Sequence, residues 1–136
     1  MLYEFEVPGK IIGKGRPRVN TTTAIAYTPT RTREYEELVK QYFIMKYRGI
    51  KPLEGRLNIE IIAYFGIPKN ANKKEKSQMI ENSISPCKKP DIDNIAKIIL
   101  DSLNKLAFND DNQITKLSIE KSYSEEEKVY VKVEQY

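Results

Sequence analysis

Between Leu57 and Phe65 the chain reads LNIEIIAYF. So many β-branched residues in one run predict a strand, and the apolar density predicts a central one covered on both faces. Residues 3–7, YEFEV, alternate apolar and polar as in a half-buried strand. ITKLSIEKSY (114–123) and KVYVKVEQY (128–136) alternate in the same way, with SEEE between them as a turn. Helical spacing occurs twice. Residues 32–48 place Tyr35, Leu38, Val39, Tyr42 and Phe43 at helical intervals, and Gly49 and Pro52 end that helix. Residues 92–106 carry the stronger stripe, formed by Ile92, Ile95, Ala96, Ile99, Leu103 and Leu106. The Gly9–Thr30 stretch is rich in Gly, Pro and Thr and reads as a loop or loose hairpin, with AIAY as a candidate short strand. Residues 66–90 read as a segment that a ligand orders, with KKEKSQMIEN as a short helix inside it. The order strand, loop, helix, strand, loop, helix, strand, strand predicts an α+β fold. Helices would pack on a mixed sheet, in a single domain over residues 1–136.

Composition narrows the chemistry more than the fold. The 136 residues are 40% hydrophobic and 31% charged, which suits one core. No apolar run approaches the ~20 residues of a membrane helix. MLYEFEVPGK lacks a basic segment followed by an apolar one, so no secretory signal is expected. Cys87 is the only cysteine, which fits a reducing cytoplasm. There is no histidine, so His/Cys zinc sites and Ser-His-Asp or Cys-His nucleophiles are excluded.

The net charge of +4 matters less than its placement. From Gly9 to Arg33 stand six basic residues (Lys10, Lys14, Arg16, Arg18, Arg31, Arg33) and no acidic one. Lys69–Pro90 holds six lysines against two glutamates, whereas Asp101 onward is net acidic. That distribution points to a polyanion, most simply nucleic acid.

The acids are equally uneven. PDIDNIAKIILDSLNKLAFNDDNQ (90–113) begins and ends its helical stripe with aspartate pairs. One aspartate at a helix start reads as an N-cap, but a cap has room for only one. Asp93, Lys97 and Asp101 recur at i, i+4 and i+8 on the face opposite the apolar stripe. If the following strand returns beside the helix, Asp110 or Asp111 comes back to the Asp91/Asp93 end. Converging carboxylates stay ionised together only around a cation, and all-oxygen ligands suit Mg²⁺ or Mn²⁺. The alternative is surface acids and good turn chemistry in NDDN. An EF-hand is excluded, because DIDNIAKIILDS lacks the central Gly and distal Glu. With no histidine as base, a metal-bound water is the natural nucleophile for a phosphodiester. Lys97 either neutralises the transition state or makes a plain i,i+4 ion pair.

KPDIDNIAKIILDSLNKLAFNDDNQI closely resembles the signature of the RusA family of Holliday junction resolvases. GKGRPRVN…AYTPTRTREYE is similar to the N-terminal part of its phage and prophage members. The most specific part is D-x-D-N-x-x-K followed some twenty residues on by D-D-x-Q. The resemblance implies a small α/β homodimer that cleaves four-way DNA junctions with Mg²⁺ and uses no organic cofactor. It implies catalytic and metal-holding roles for Asp91, Asp93 and Asp111, with Asp110 adjacent, and a catalytic role for Lys97. Asp101 also matches an acid of the pattern and is read as helix surface or as support behind the ligands. A basic dimer face would bind the junction through its backbone, with Lys14, Arg16, Arg18, Arg31, Arg33, Lys73, Lys74 and Lys76 as candidate contacts. Tyr27 and Phe108 are set aside as stacking residues, because an aromatic beside a strand is more often core. A non-catalytic protein that binds branched DNA, and a nuclease for another branched structure, are the competing readings.

Overall fold

The computed structural model describes residues 1–136. Four strands form the main sheet: β1 (Leu2–Pro8), β4 (Leu57–Gly66), β5 (Ile114–Ser124) and β6 (Lys128–Gln135), in the order β1-β6-β4-β5. β4 runs parallel to β5 and antiparallel to β6, so the sheet is mixed and the fold is α+β. Alternation drives one side chain in two inward. Tyr3, Phe5 and Val7 from β1, Leu57, Ile59, Ile61, Ala63 and Phe65 from β4, and Val129, Val131 and Val133 from β6 are all buried.

Two helices cover that face. α1 (Thr30–Lys46) inserts Tyr35, Val39 and Phe43, four residues apart, and α3 (Ile92–Leu103) inserts Ile95, Ile98, Ile99 and Leu103. All belong to one core cluster with the inner face of the sheet. A parallel pair needs a crossover, and α3 lies within the β4–β5 connection. A third helix, α2 (Lys73–Ile80), starts at a capping box between Asn72 and Glu75 and packs on β5. Residues 18–19 and 26–27 pair as a short antiparallel ribbon, β2–β3, outside the main sheet. No helix is long and apolar enough to cross a membrane.

Several expectations change. β4 is central, but it is not covered on both faces: Asn58, Glu60, Ile62 and Tyr64 stay half-exposed on the side away from α1 and α3. The stripe of α3 is rotated toward Ile98, and Ile92 is exposed. That helix stops at Leu103, not 106, because Asn104 is extended and Lys105 takes a positive φ of 71°. The segment read as mobile is tethered. Asn82 donates to Glu120 on β5, Lys121 donates to the Lys88 carbonyl, and Pro86 is buried.

The strands on either side of SEEE are not partners. β4 lies between them, and the link crosses its end. There a Cβ on Gly66 would lie 2.9 Å from Glu127 Oε1 and 3.0 Å from its Cγ, so glycine leaves the link its passage.

Candidate active site

Asp91 is the N-cap residue of α3 by its backbone: its φ and ψ are extended, and its carbonyl accepts from Ile95 N at 3.0 Å. Its side chain makes no capping bond, and the Asp93 side chain takes no such bond either. The carboxylates at the helix start are therefore not consumed in holding the helix. They open onto a groove of ≈ 350 Å³ with no hydrophobic lining, walled by Lys14, Arg16, Asp91, Asp93, Lys97 and Asp101.

Lys97 is exposed on this face and makes no ion pair within 4.0 Å with Asp93 or Asp101. The plain i,i+4 reading is therefore not what this structure contains. Asp101 pairs instead with Lys14, at 3.1 Å, and the same ammonium reaches Glu36 of α1 at 3.2 Å. Burial pulls the Lys14 pKa down, but the bonds to Asp101 and Glu36 outweigh it and hold the group above its ordinary value.

Beyond α3 the chain makes a single 3₁₀ turn at Asp111–Gln113. Gln113 pins it. Its Oε1 accepts from the backbone N–H of Asn109 (2.8 Å) and of Asp110 (2.9 Å), and its Nε2 donates to the carbonyls of Leu53 (3.0 Å) and Gly55 (2.9 Å). The clamp presents Asp110 and Asp111 side by side. The Asp111 carboxyl titrates above the ordinary range, first through its hydrogen bond with Asp110, then through desolvation and the charges of Asp110 and Asp101.

Asp101 is thus the helix acid whose charge reaches the second pair. Asp93 and Asp101 are separated by eight residues, about 12 Å of helix. The structure brings Asp91 and Asp93 to one end of the α3 face and sets Asp110 and Asp111 with Asp101. It does not bring three acids into one metal-holding group. The donor set still fits a hard divalent cation. It is all oxygen and solvent-facing, and Asp110 and Asp111 crowd like charges without a cationic partner. Mg²⁺ commonly takes only one or two carboxylates and completes its shell with water and substrate phosphate.

The basic residues divide in a way that counting charges does not show. Lys10, Lys14, Arg16, Arg18, Arg31 and Lys89 line a second groove of ≈ 550 Å³ that no acid enters. Lys10 and Lys89 are additions to the sequence-derived set, and the signal for Lys89 was its place two residues before Asp91. Arg33 and the α2 residues Lys73, Lys74 and Lys76 are exposed but line neither groove.

The two grooves adjoin because the loop at 13–15 is stitched down on both sides. Lys14 N donates to the Asn94 carbonyl (2.9 Å), and Gly15 N donates to Thr32 Oγ1 (3.0 Å), a hydroxyl on a buried residue. Gly13 has no room for a side chain: an added Cβ would sit 2.7 Å from Pro90 Cβ and 3.2 Å from Asn94 Cβ. Phe108 is fully buried, as expected of an aromatic beside a strand. Tyr27 is not, with 49% of its surface exposed.

Comparison with known proteins identifies the family. The family model of endodeoxyribonuclease RusA matches residues 8–134, which takes in both grooves, β4, β5 and nearly all of β6, and leaves out β1 before Pro8. The chain is also 29% identical over 134 residues to the uncharacterized protein YqaN of Bacillus subtilis (strain 168), an alignment covering 96% of this chain and 94% of that one.

Proposed function

The chain belongs to the RusA endodeoxyribonuclease family, and from that premise we propose that it resolves four-way DNA junctions, in recombination and repair, by hydrolysing phosphodiesters at the acidic face of α3. The observation that most supports this is the wall the two grooves share: Lys14, Gly15, Arg16, Pro17 and Asn94 border both. A strand whose phosphates lie along Arg16, Arg18 and Arg31 runs directly into the carboxylates. Such contacts fix register without reading sequence.

Asp91 and Asp93 at one end, and Asp110 and Asp111 at the other, would hold Mg²⁺, with Mn²⁺ able to replace it. When bound, the ion supplies water of lowered pKa and offsets charge on the phosphate oxygens. Lys97, free of ion pairs, donates to the phosphate oxygen on which charge builds. Lys14 keeps Asp101 engaged, so the acid face does not meet the incoming strand with its full charge. The hydrolysis needs no organic cofactor. One acid motif per chain gives one nick per subunit, so paired nicks on a two-fold junction call for a homodimer. The site of action is the cytoplasm, where the DNA lies.

A nicking assay on a synthetic four-way junction, with and without Mg²⁺ and against linear duplex of the same sequence, tests this. Paired symmetrical nicks are expected only on the junction and only with the metal. Asp91→Asn or Asp93→Asn is expected to bring nicking to background while junction binding persists. Full nicking by either variant removes the proposed chemistry. Tight binding by the native chain without nicking would make it an architectural DNA-binding protein, and preferential cutting of flaps would change the substrate.

A further inference from the structure

The β2–β3 ribbon stands on the rim of the basic groove and covers nothing. Both of its legs line that groove, through Arg16, Pro17 and Arg18 on the way in and Pro29 and Arg31 on the way out. Every residue from Arg16 to Tyr27 is exposed, and the ribbon's substantial packing is of one strand on the other. Two-residue strands do not hold themselves together in water. Here the turn does the holding. Asn20 Oδ1 accepts from Thr22 N (2.8 Å) and Thr23 N (3.2 Å), its carbonyl accepts from Ala24 N (2.7 Å), and its own N–H donates to Ile25 O (3.0 Å). This stitched turn presents three apolar side chains to solvent: Val19 at 60% exposure, Ile25 at 65% and Tyr27 at 49%. Exposed apolar side chains on such a projection, bordered by cations, mark a contact surface.

The register says which side chains act together. Arg18 and Tyr27 are directly opposite each other, so both side chains stand on one face of the ribbon. Ile25, two residues before Tyr27, shares that face. Arg18 is the member that lines the groove. A guanidinium, a phenol ring and an aliphatic side chain therefore stand together where the cationic groove begins. A ligand that suits them carries regular negative charge and an uncovered flat apolar face. Paired duplex DNA hides its base faces by stacking, whereas DNA at a branch point exposes them.

We propose that the β2–β3 ribbon is a base-contacting element, with Tyr27 stacking on a base exposed at a DNA branch point while Arg18 holds the neighbouring phosphate and Ile25 extends the apolar platform. This rests on branched DNA being the substrate, and it adds a reason why a branch is preferred to a duplex. The acids select a phosphodiester, and the ribbon selects the place where stacking is broken.

The test uses the full chain without divalent cation, a four-way junction carrying 2-aminopurine at the crossover, and linear duplex of matching sequence. The native chain is expected to bind the junction more tightly and to change the probe's fluorescence. Tyr27→Ala is expected to bind the junction roughly tenfold more weakly, to leave the probe's signal as in free DNA and to bind duplex as before. Tyr27→Phe keeps the ring and is expected to retain both properties. Because Tyr27 is outside the core, the melting temperature is expected not to move. Native-like binding and fluorescence in Tyr27→Ala overturns the ribbon's role. So does an equal loss on junction and duplex, or a fall in oligomeric state, which would make the ribbon a protein interface. If the native chain shows no preference for the junction, the substrate reading fails in the unmutated protein and the ribbon's role falls with it.

Discussion

Lys14 shows how much one side chain is made to do here. It is bonded to Asp101 and Glu36, it joins α1 to α3, and it borders both grooves. Its raised pKa fixes the sign of a pH dependence. The ion pairs contribute fully below the ammonium's ordinary value of 10.5 and fade as pH climbs through the higher folded value. Lys14→Met is therefore expected to lower the unfolding free energy by about 1 kcal/mol at pH 7. In urea titrations at a series of pH values, the gap to the native chain should narrow above pH 10.5. A gap that ignores pH would mean that packing of the stem, not charge, had been lost. The acids could be picked out at this scale by residue type, but which of them face one groove could not: Asp91, Asp93 and Asp101 line it, while Asp110 and Asp111 sit on a separate turn. Nor could Tyr27, since exposure depends on what fails to cover a residue. Gln113 was visible only as the last letter of D-D-x-Q, and its role as a clamp depends on two carbonyls nearly sixty residues away.

At the scale of elements, the junction between the 13–15 loop and the start of α3 sets the alignment of the grooves. Gly13→Ala would bring its methyl to 2.7 Å from Pro90 Cβ, so the loop must lift from the helix. The expected cost is about 1–3 kcal/mol of stability. The expected kinetic effect is larger, roughly a hundredfold loss of nicking, because a misplacement of an ångström at the phosphate suffices for that. Single-turnover nicking rates measured alongside junction affinity would separate the two, and an unaltered rate would mean the loop does not align the strand. Elements with a strong local period were legible: β1, β4, β6, α1 and α3 each bury one face or stripe, and the 3.6- and two-residue repeats record it. Their ends were less so, as at Asn104, where the backbone leaves the helix while the apolar pattern continues to Leu106. The lysines of α2 stand apart from both grooves for a related reason: charge density along the chain does not say where in the fold a helix packs.

For the whole molecule, strand order was the least legible property. β5 and β6 follow one another across a short turn, yet β4 separates them. β6 is hydrogen-bonded on both sides, with Val131 opposite Phe5 on one and Ile61 on the other. Removing residues 128–136 would therefore take out an inner strand and leave β1 without a partner. The shortened chain is expected to lose cooperative melting and near-ultraviolet circular dichroism altogether, whereas a tail merely laid over the edge could be trimmed with little effect. The same topology sets a timetable. The acids at 91–111 leave the ribosome before β6, but β1 and β4 cannot be joined until residues 128–135 are free to slide between them. Long-range pairings of this kind close late. A nascent chain thus exposes the acids before the sheet that positions them exists, and the native arrangement waits until the final strand is free.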